Sequence, residues 1–280
     1  MAKGNDGNLL QHTVECEIVR ELLAQSGASR LNLIATHGMA PFESLTDTGR
    51  PNTKLLRDWL DVATGRIRKF RFEDCENLPA VVRAYRQCHT TFLHYPNTPE
   101  LAAALVGRGN LDGFVCELNG DTCKKLKDVW DGTKLGLLHG EWRDHVDQIA
   151  AKIPNEPWLV TMDPNTFEFG DVRRLPANFH SSDFDHCRKL VKGRLQSNLP
   201  GSFCLCCYSM NDATERRFHE ECTTFAASLD CQPSFLRVQA QNGRDHAPRF
   251  HVGLILSNQP DLVKRIESTW EKMKLGPSKW

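Results

Sequence analysis

The sequence predicts an α/β protein built on a doubly wound parallel sheet that ends in an antiparallel hairpin. Two observations carry the parallel part. Short apolar runs at 31–36, 113–118, 135–139, 159–162 and 203–208 alternate with segments of helical period, the pattern of strands crossing over through helices. The run Leu159, Val160 and Met162 is near-continuous and stops at Asp163-Pro164, as expected of a strand buried on both faces. The third observation is the pair of strand-like segments at 235–240 and 250–256, separated by a stretch holding Asn242-Gly243, a hairpin signal.

At 280 residues the chain has room for a single domain with a subdomain, here 1–280 with an insertion at 44–94. Its 35 basic and 35 acidic side chains cancel, so net charge indicates neither a nucleic-acid coat nor a membrane-surface protein. The amino terminus lacks the apolar core of a secretory signal, and no apolar run approaches the roughly 20 residues that span a bilayer. A soluble, cytoplasmic protein without membrane contact is expected. The eleven cysteines are expected to be reduced and mostly buried. Without two separate C-x-x-C pairs, no structural zinc or other metal is expected.

The Gly/Asn-rich start is a loop, and Leu10, Val14, Ile18 and Leu22 then mark an amphipathic helix that Gly27 stops. His12 falls in its first turns. Residues 31–38 form a strand ending at Thr36-His37-Gly38, which lacks the G-x-G-x-x-G of a dinucleotide loop. The segment 44–94 has little strand character and reads as a helical insertion. Within it, Arg66, Arg68, Lys69 and Arg71 interleave with Phe70 and Phe72. Such a stretch either holds phosphates while the rings stack on unpaired bases or is a solvated basic edge.

Pro99 suits the start of the next helix. The strand 113–118 delivers Glu117 to its end, where an acidic side chain either binds ribose hydroxyls or caps a helix. The strand at 135–139 ends at Gly140, and 159–162 ends at Asp163, where Pro164 forces a turn. A carboxylate, a fixed turn and the aromatic Phe167 at one sheet edge make a plausible reaction centre, or a simple Asp-Pro turn. Helices are expected over 183–195, over 213–228 and from Pro260. A parallel sheet closed by an antiparallel hairpin points to the class I methyltransferase variant of the Rossmann-like fold.

Taken in order, these segments resemble the RlmJ-type methyltransferases, which place a methyl group on adenine N6 of large-subunit ribosomal RNA. Gly4-Asn5 with Leu10-Gln11-His12 resembles the family's G-N…L-K-H, and Thr36-His37-Gly38 its D-T-H-A-G. The turn at 95–99 resembles Y-P-G-S-P, Glu117 falls at the E-L strand end, and Asp163-Pro164 with Phe167 resembles D-P-P-Y. Gln11 replaces the family lysine, Ala35 replaces an aspartate, and the aromatic of the last motif lies one position later. The resemblance implies S-adenosylmethionine as cofactor, held by His12, His37, Gly38, Thr98, Glu117, Gly140 and Asp163. It implies Asp163, Pro164 and Phe167 as the catalytic group. RNA, ahead of DNA, is the implied partner, met by Asn5, Gln11, Arg66, Arg68, Lys69 and Arg71. The departures leave a second reading, a non-catalytic cofactor- or RNA-binding protein of the same fold.

Overall fold

The structure, a computed structural model, describes residues 5–44, 53–67, 78–88, 94–152, 154–170, 178–240 and 248–277. Helix α1 (Asp6–Ser26) precedes strand β1 (Leu31–Ala35), the short β2 (Phe42–Ser44), helices α2 (Lys54–Ala63) and α3 (Ala80–Gln87), and the short β3 (His94–Pro96). Then come α4 (Thr98–Val106), β4 (Leu111–Glu117), α5 (Gly120–Trp130), β5 (Lys134–His139), α6 (Val146–Ala151) and β6 (Trp158–Met162). The small β7 (Phe167–Glu168) and β8 (Phe179–His180) lead to α7 (Phe184–Leu195), β9 (Gly201–Met210) and α8 (Asp212–Ala227). The described chain closes with β10 (Ser234–Ala240), β11 (Arg249–Ser257) and α9 (Pro260–Lys274).

Seven strands make the main sheet in the order β10-β11-β9-β6-β1-β4-β5. The ladder from β9 through β6, β1 and β4 to β5 is parallel, whereas β11 runs antiparallel to both β9 and β10. This is the expected Rossmann-like sheet with its carboxyl-terminal antiparallel pair. Ala240 pairs with Arg249, and the Asn-Gly turn between them lies outside the described residues. Beginning at β1, the chain builds outward through β4 to β5, then returns to place β6 on the other flank. The order therefore reverses between β1 and β6, and ligands of open α/β sheets bind at the carboxyl edge of such a switch point.

Strands β1 and β6 are buried at every position, so both faces of the sheet are covered. Leu33, Leu159, Cys204 and Cys206 look toward α1, α4 and α9. Ile34, Val160, Phe203 and Cys207 look toward α6, α7 and α8. Helix α1 departs from expectation. Its apolar stripe faces the sheet as foreseen, and Gly27 ends it at φ 62°. Its polar side is buried too, Glu15 and Glu17 included, because α2, α3 and α4 pack over it. It is a central helix rather than a surface one. Of the segment 44–94, the described residues hold α2 and α3, which share the α1 core. The cysteines described are free thiols, most of them buried.

Candidate active site at the carboxyl edge

Three strand ends meet at the switch point. Ala35 of β1 pairs with Val115 of β4 and Thr161 of β6. Two residues further on, His37, Glu117 and Asp163 stand side by side, with His37 in the middle. Two inter-strand spacings separate the outer carboxylates, about 10 Å.

The loop after β1 is held by its neighbours. Glu117 accepts Met39 N–H at 2.8 Å and Asn119 N–H at 2.7 Å. Gly38 N–H donates to the Cys116 carbonyl at 2.7 Å, and Asn97 Nδ2 donates to the Gly38 carbonyl at 2.9 Å. A Cβ on Gly38 would meet Leu126, Val115 and Glu117 at 2.9–3.1 Å, so only glycine lets the backbone lie this close to β4. Gly140 closes the other side, its N–H on the Glu117 carbonyl at 3.0 Å.

Two buried polar atoms at this edge make no hydrogen bond, as is true of several elsewhere among the described residues, both ring nitrogens of His251 included. His37 Nδ1 accepts Asp163 N–H at 3.4 Å and lies 2.8 Å from Thr36 Oγ1. That leaves the proton on Nε2, which is buried and makes no hydrogen bond. Burial, with the Arg143 charge adding to it, pushes His37 down to about 4, so the ring is a neutral donor. Asp163 Oδ1 is likewise buried and takes no well-formed hydrogen bond, although Tyr208 and Gln11 lie beside the carboxyl and ease its ionisation. Burial dominates and pushes Asp163 up to about 8, with the charge of Glu15 acting in the same direction. Buried polar groups are nearly always paired. Here an unpaired donor and an unpaired acceptor stand on adjacent strand ends at the switch point, where ligands of open α/β sheets bind.

Below the crevice lies a polar network with no counterpart in the sequence reading. Tyr208 Oη donates to Gln11 Oε1 at 2.9 Å, and Gln11 Nε2 donates to Glu15 Oε1 at 3.0 Å. Thr98 Oγ1 donates to Glu15 Oε2 at 2.9 Å, and Thr161 Oγ1 to Glu15 Oε1. Glu15 is pushed up to about 7 by burial, against the pull of these three partners.

Several expected site residues occupy other places. The His12 ring is enclosed, its Nδ1 2.7 Å from Tyr85 Oη, and burial pushes it down to about 3; it supports the site from inside. Thr98 turns its hydroxyl to Glu15, and Gln11 is buried in the same network, so neither side chain offers a surface for cofactor or RNA. Asn5 caps α1, accepting Gly7 N–H at 2.8 Å. Phe167 is 3 % exposed, packed among Phe169, Phe179, Phe184 and Phe218, and cannot stack on a base. Pro164 is buried at the turn. Arg66 pairs with Asp61 at 3.5 Å, while Arg68, Lys69 and Arg71 lie outside the described residues. Among the described residues no group of His, Cys, Asp and Glu could hold a metal ion, and no helix is long and apolar enough to cross a membrane.

No protein-family model matches the chain, and no curated protein matches it. Among solved structures, a protein of Legionella pneumophila str. Philadelphia 1, described by the family model DUF519, is similar over 95 % of this chain and 92 % of its own. The TM-score is 0.60 and the identity 16 %. That likeness extends to nearly the whole fold. More distant are the methyltransferase domain of bacterial CtHen1 (TM-score 0.33, 8 % identity, 85 % of this chain and 95 % of that one) and precorrin-6y C5,15-methyltransferase of Geobacter metallireducens GS-15 (0.31, 15 %, 55 % and 71 %).

Proposed function

We propose that this chain is an S-adenosylmethionine-dependent methyltransferase acting on an exocyclic amine of a nucleic-acid base. Adenine N6 of RNA is the substrate class that the RlmJ-type resemblance indicates. The observation that carries the reading is the pair of partnerless buried groups, His37 Nε2 and Asp163 Oδ1, at the topological switch point of a sheet with this strand order.

The residues fit such a cofactor. Glu117 has lone pairs left for two ribose hydroxyls after accepting its two backbone N–H groups. Gly38 and Gly140 let the backbone close up beside Glu117, and His37 presents a neutral N–H. When bound, the cofactor supplies an electrophilic methyl group. An aryl amine is a poor nucleophile because its lone pair is shared with the ring. Asp163, in its ionised form, and the Pro164 carbonyl would accept its N–H bonds, favouring a pyramidal nitrogen and stabilising the positive charge that develops on it. The base has to be unpaired or flipped out to arrive. RNA contacts fall to the segment containing Arg66, Arg68, Lys69 and Arg71.

The test is incubation with methyl-labelled cofactor and separate pools of unmodified RNA, DNA and protein, followed by nucleoside analysis. Label in N6-methyladenosine of the RNA pool supports the reading, and no label in any pool contradicts it. One observation favours a non-catalytic cofactor-binding protein instead: Phe167, the ring expected to stack on the base, is committed to the core. Cofactor binding without label in any pool would select that alternative.

A further inference from the structure

With Phe167 in the core, the proposed amine site lacks the ring that an extruded base needs. Such a base loses its stacking neighbours and recovers part of that energy on an aromatic side chain. Strand β6 lies between β1 and β9, so Asp163 has two flanks. On the β1 flank stand His37 and Glu117, read above as the cofactor's side. On the β9 flank stands Tyr208.

Strand alternation brings Tyr208 and Asp163 to one face. Thr161, two residues before Asp163, reaches Glu15 of α1. Cys204 and Cys206, in step with Tyr208, look toward the same helix. Asp163 and Tyr208 are both half-buried and reach the surface, whereas Phe167 is sealed on the other face.

The Tyr208 ring is held from several sides. Its hydroxyl donates to Gln11 Oε1 at 2.9 Å, and the His251 ring of β11 meets it edge to face at 5.0 Å and 72°. Gly7 of α1 passes so close that an added Cβ would lie 2.4 Å from the ring. The Tyr208 N–H donates to the Asn165 carbonyl at 3.2 Å, which ties β9 to the turn after Asp163. Against the burial that raises the Asp163 carboxyl, the phenol beside it favours the ionised form. A ring fixed in this way loses little freedom when a base stacks on it.

The geometry points to Tyr208 as the platform on which the acceptor base stacks, with the base's amine edge at Asp163. The inference rests on the reading of the site as a methyltransferase's, and names the residue that takes its acceptor. The burial of Phe167 then no longer argues against turnover, since the ring missing from one face is supplied from the other. Stacking tolerates every base, so the choice falls to the groups at the platform's end. The Asp163 carboxylate and the Pro164 carbonyl accept N–H bonds, which selects a base with an exocyclic amine over uracil.

The test is the labelling assay with the RNA pool at varied concentration. Tyr208→Leu should raise the apparent KM for RNA about 5- to 150-fold while S-adenosylhomocysteine binds as in the wild type. Tyr208→Phe, which keeps the ring, should restore KM and lower kcat, because the hydroxyl beside Asp163 is gone. An RNA KM unchanged in Tyr208→Leu, with label still incorporated, overturns the inference and leaves the proposed function standing. No label with the wild type in any pool overturns both. Ultraviolet crosslinking of wild-type protein to the RNA pool, with S-adenosylhomocysteine bound, needs no variant to fold. A nucleotide attached to Tyr208 is expected, and attachment only at other residues contradicts the assignment.

Discussion

Asp163 and Phe167 leave the same strand end four residues apart and reach opposite faces of the sheet. On the α1 face the carboxyl joins a network in which Glu15, Gln11, Thr98, Thr161 and Tyr208 are all tied by hydrogen bonds, and one oxygen remains unsatisfied. On the α7 and α8 face the ring enters a layer of Phe179, Phe184, Phe203, Phe218 and Phe225. The contrast separates two purposes. Aromatic packing lowers the energy of the fold, whereas burying a carboxyl with one oxygen unsatisfied raises it.

The two residues should therefore fail differently. Asp163→Ala should reduce methyl transfer at least about 100-fold while leaving the melting temperature unchanged or higher. Label incorporation beside a thermal melt checks both halves, and activity near that of the wild type would remove Asp163 from the reaction. Phe167→Ala should do the reverse, costing about 3–5 kcal/mol of stability in urea unfolding. Cofactor affinity of whatever fraction stays folded should be preserved.

Gly7 extends the contrast to the floor of the α1 face. A Cβ there would collide with the Tyr208 ring and come within 2.7 Å of His251 Cγ. Gly7→Ala should cost about 1–3 kcal/mol in urea unfolding.

The smallest effect is in the pH dependence of stability. Asp6, Glu15 and Asp163 are raised by burial to about 7, 7 and 8. Their contribution is full below the unfolded carboxyl range near 4 and is lost as pH rises through 7 to 8. His12, His37 and His251, depressed to about 3, 4 and 4, contribute above about 6.5 and lose it as pH falls. Between about pH 6.5 and 8 only the carboxyls titrate, so stability should decline there. Asp163→Asn should flatten that decline by about 1 kcal/mol. Parallel profiles of variant and wild type in urea titrations would show that Asp163 ionises freely in the folded protein.

The sheet was legible in the chain because each strand is an apolar run closed by a turn residue. Asp163 stood out for the same reason, with Pro164 ending the ladder behind it. The fate of Phe167 was not legible, because its neighbours Phe179, Phe184 and Phe218 come from β8, α7 and α8. Nor was the enclosure of His12: an apolar stripe marks the face toward the sheet, and only the packing of α2 and α3 decides what covers the other. The polar network did leave a trace. Gln11 and Glu15 share a helix face at i, i+4, and Tyr208 follows Cys204 and Cys206 in the two-residue period of β9. The sequence reading placed Gln11 against RNA instead and passed over Glu15 and the Tyr208 hydroxyl.

The account turns on what the crevice between β1 and β6 holds. The most direct measurement is the structure of the protein with S-adenosylhomocysteine. The ribose is predicted on Glu117, with the thioether beside His37 on the Asp163 side. A ligand seated away from these three residues, or crystals grown at saturating concentration with the crevice empty, would contradict it.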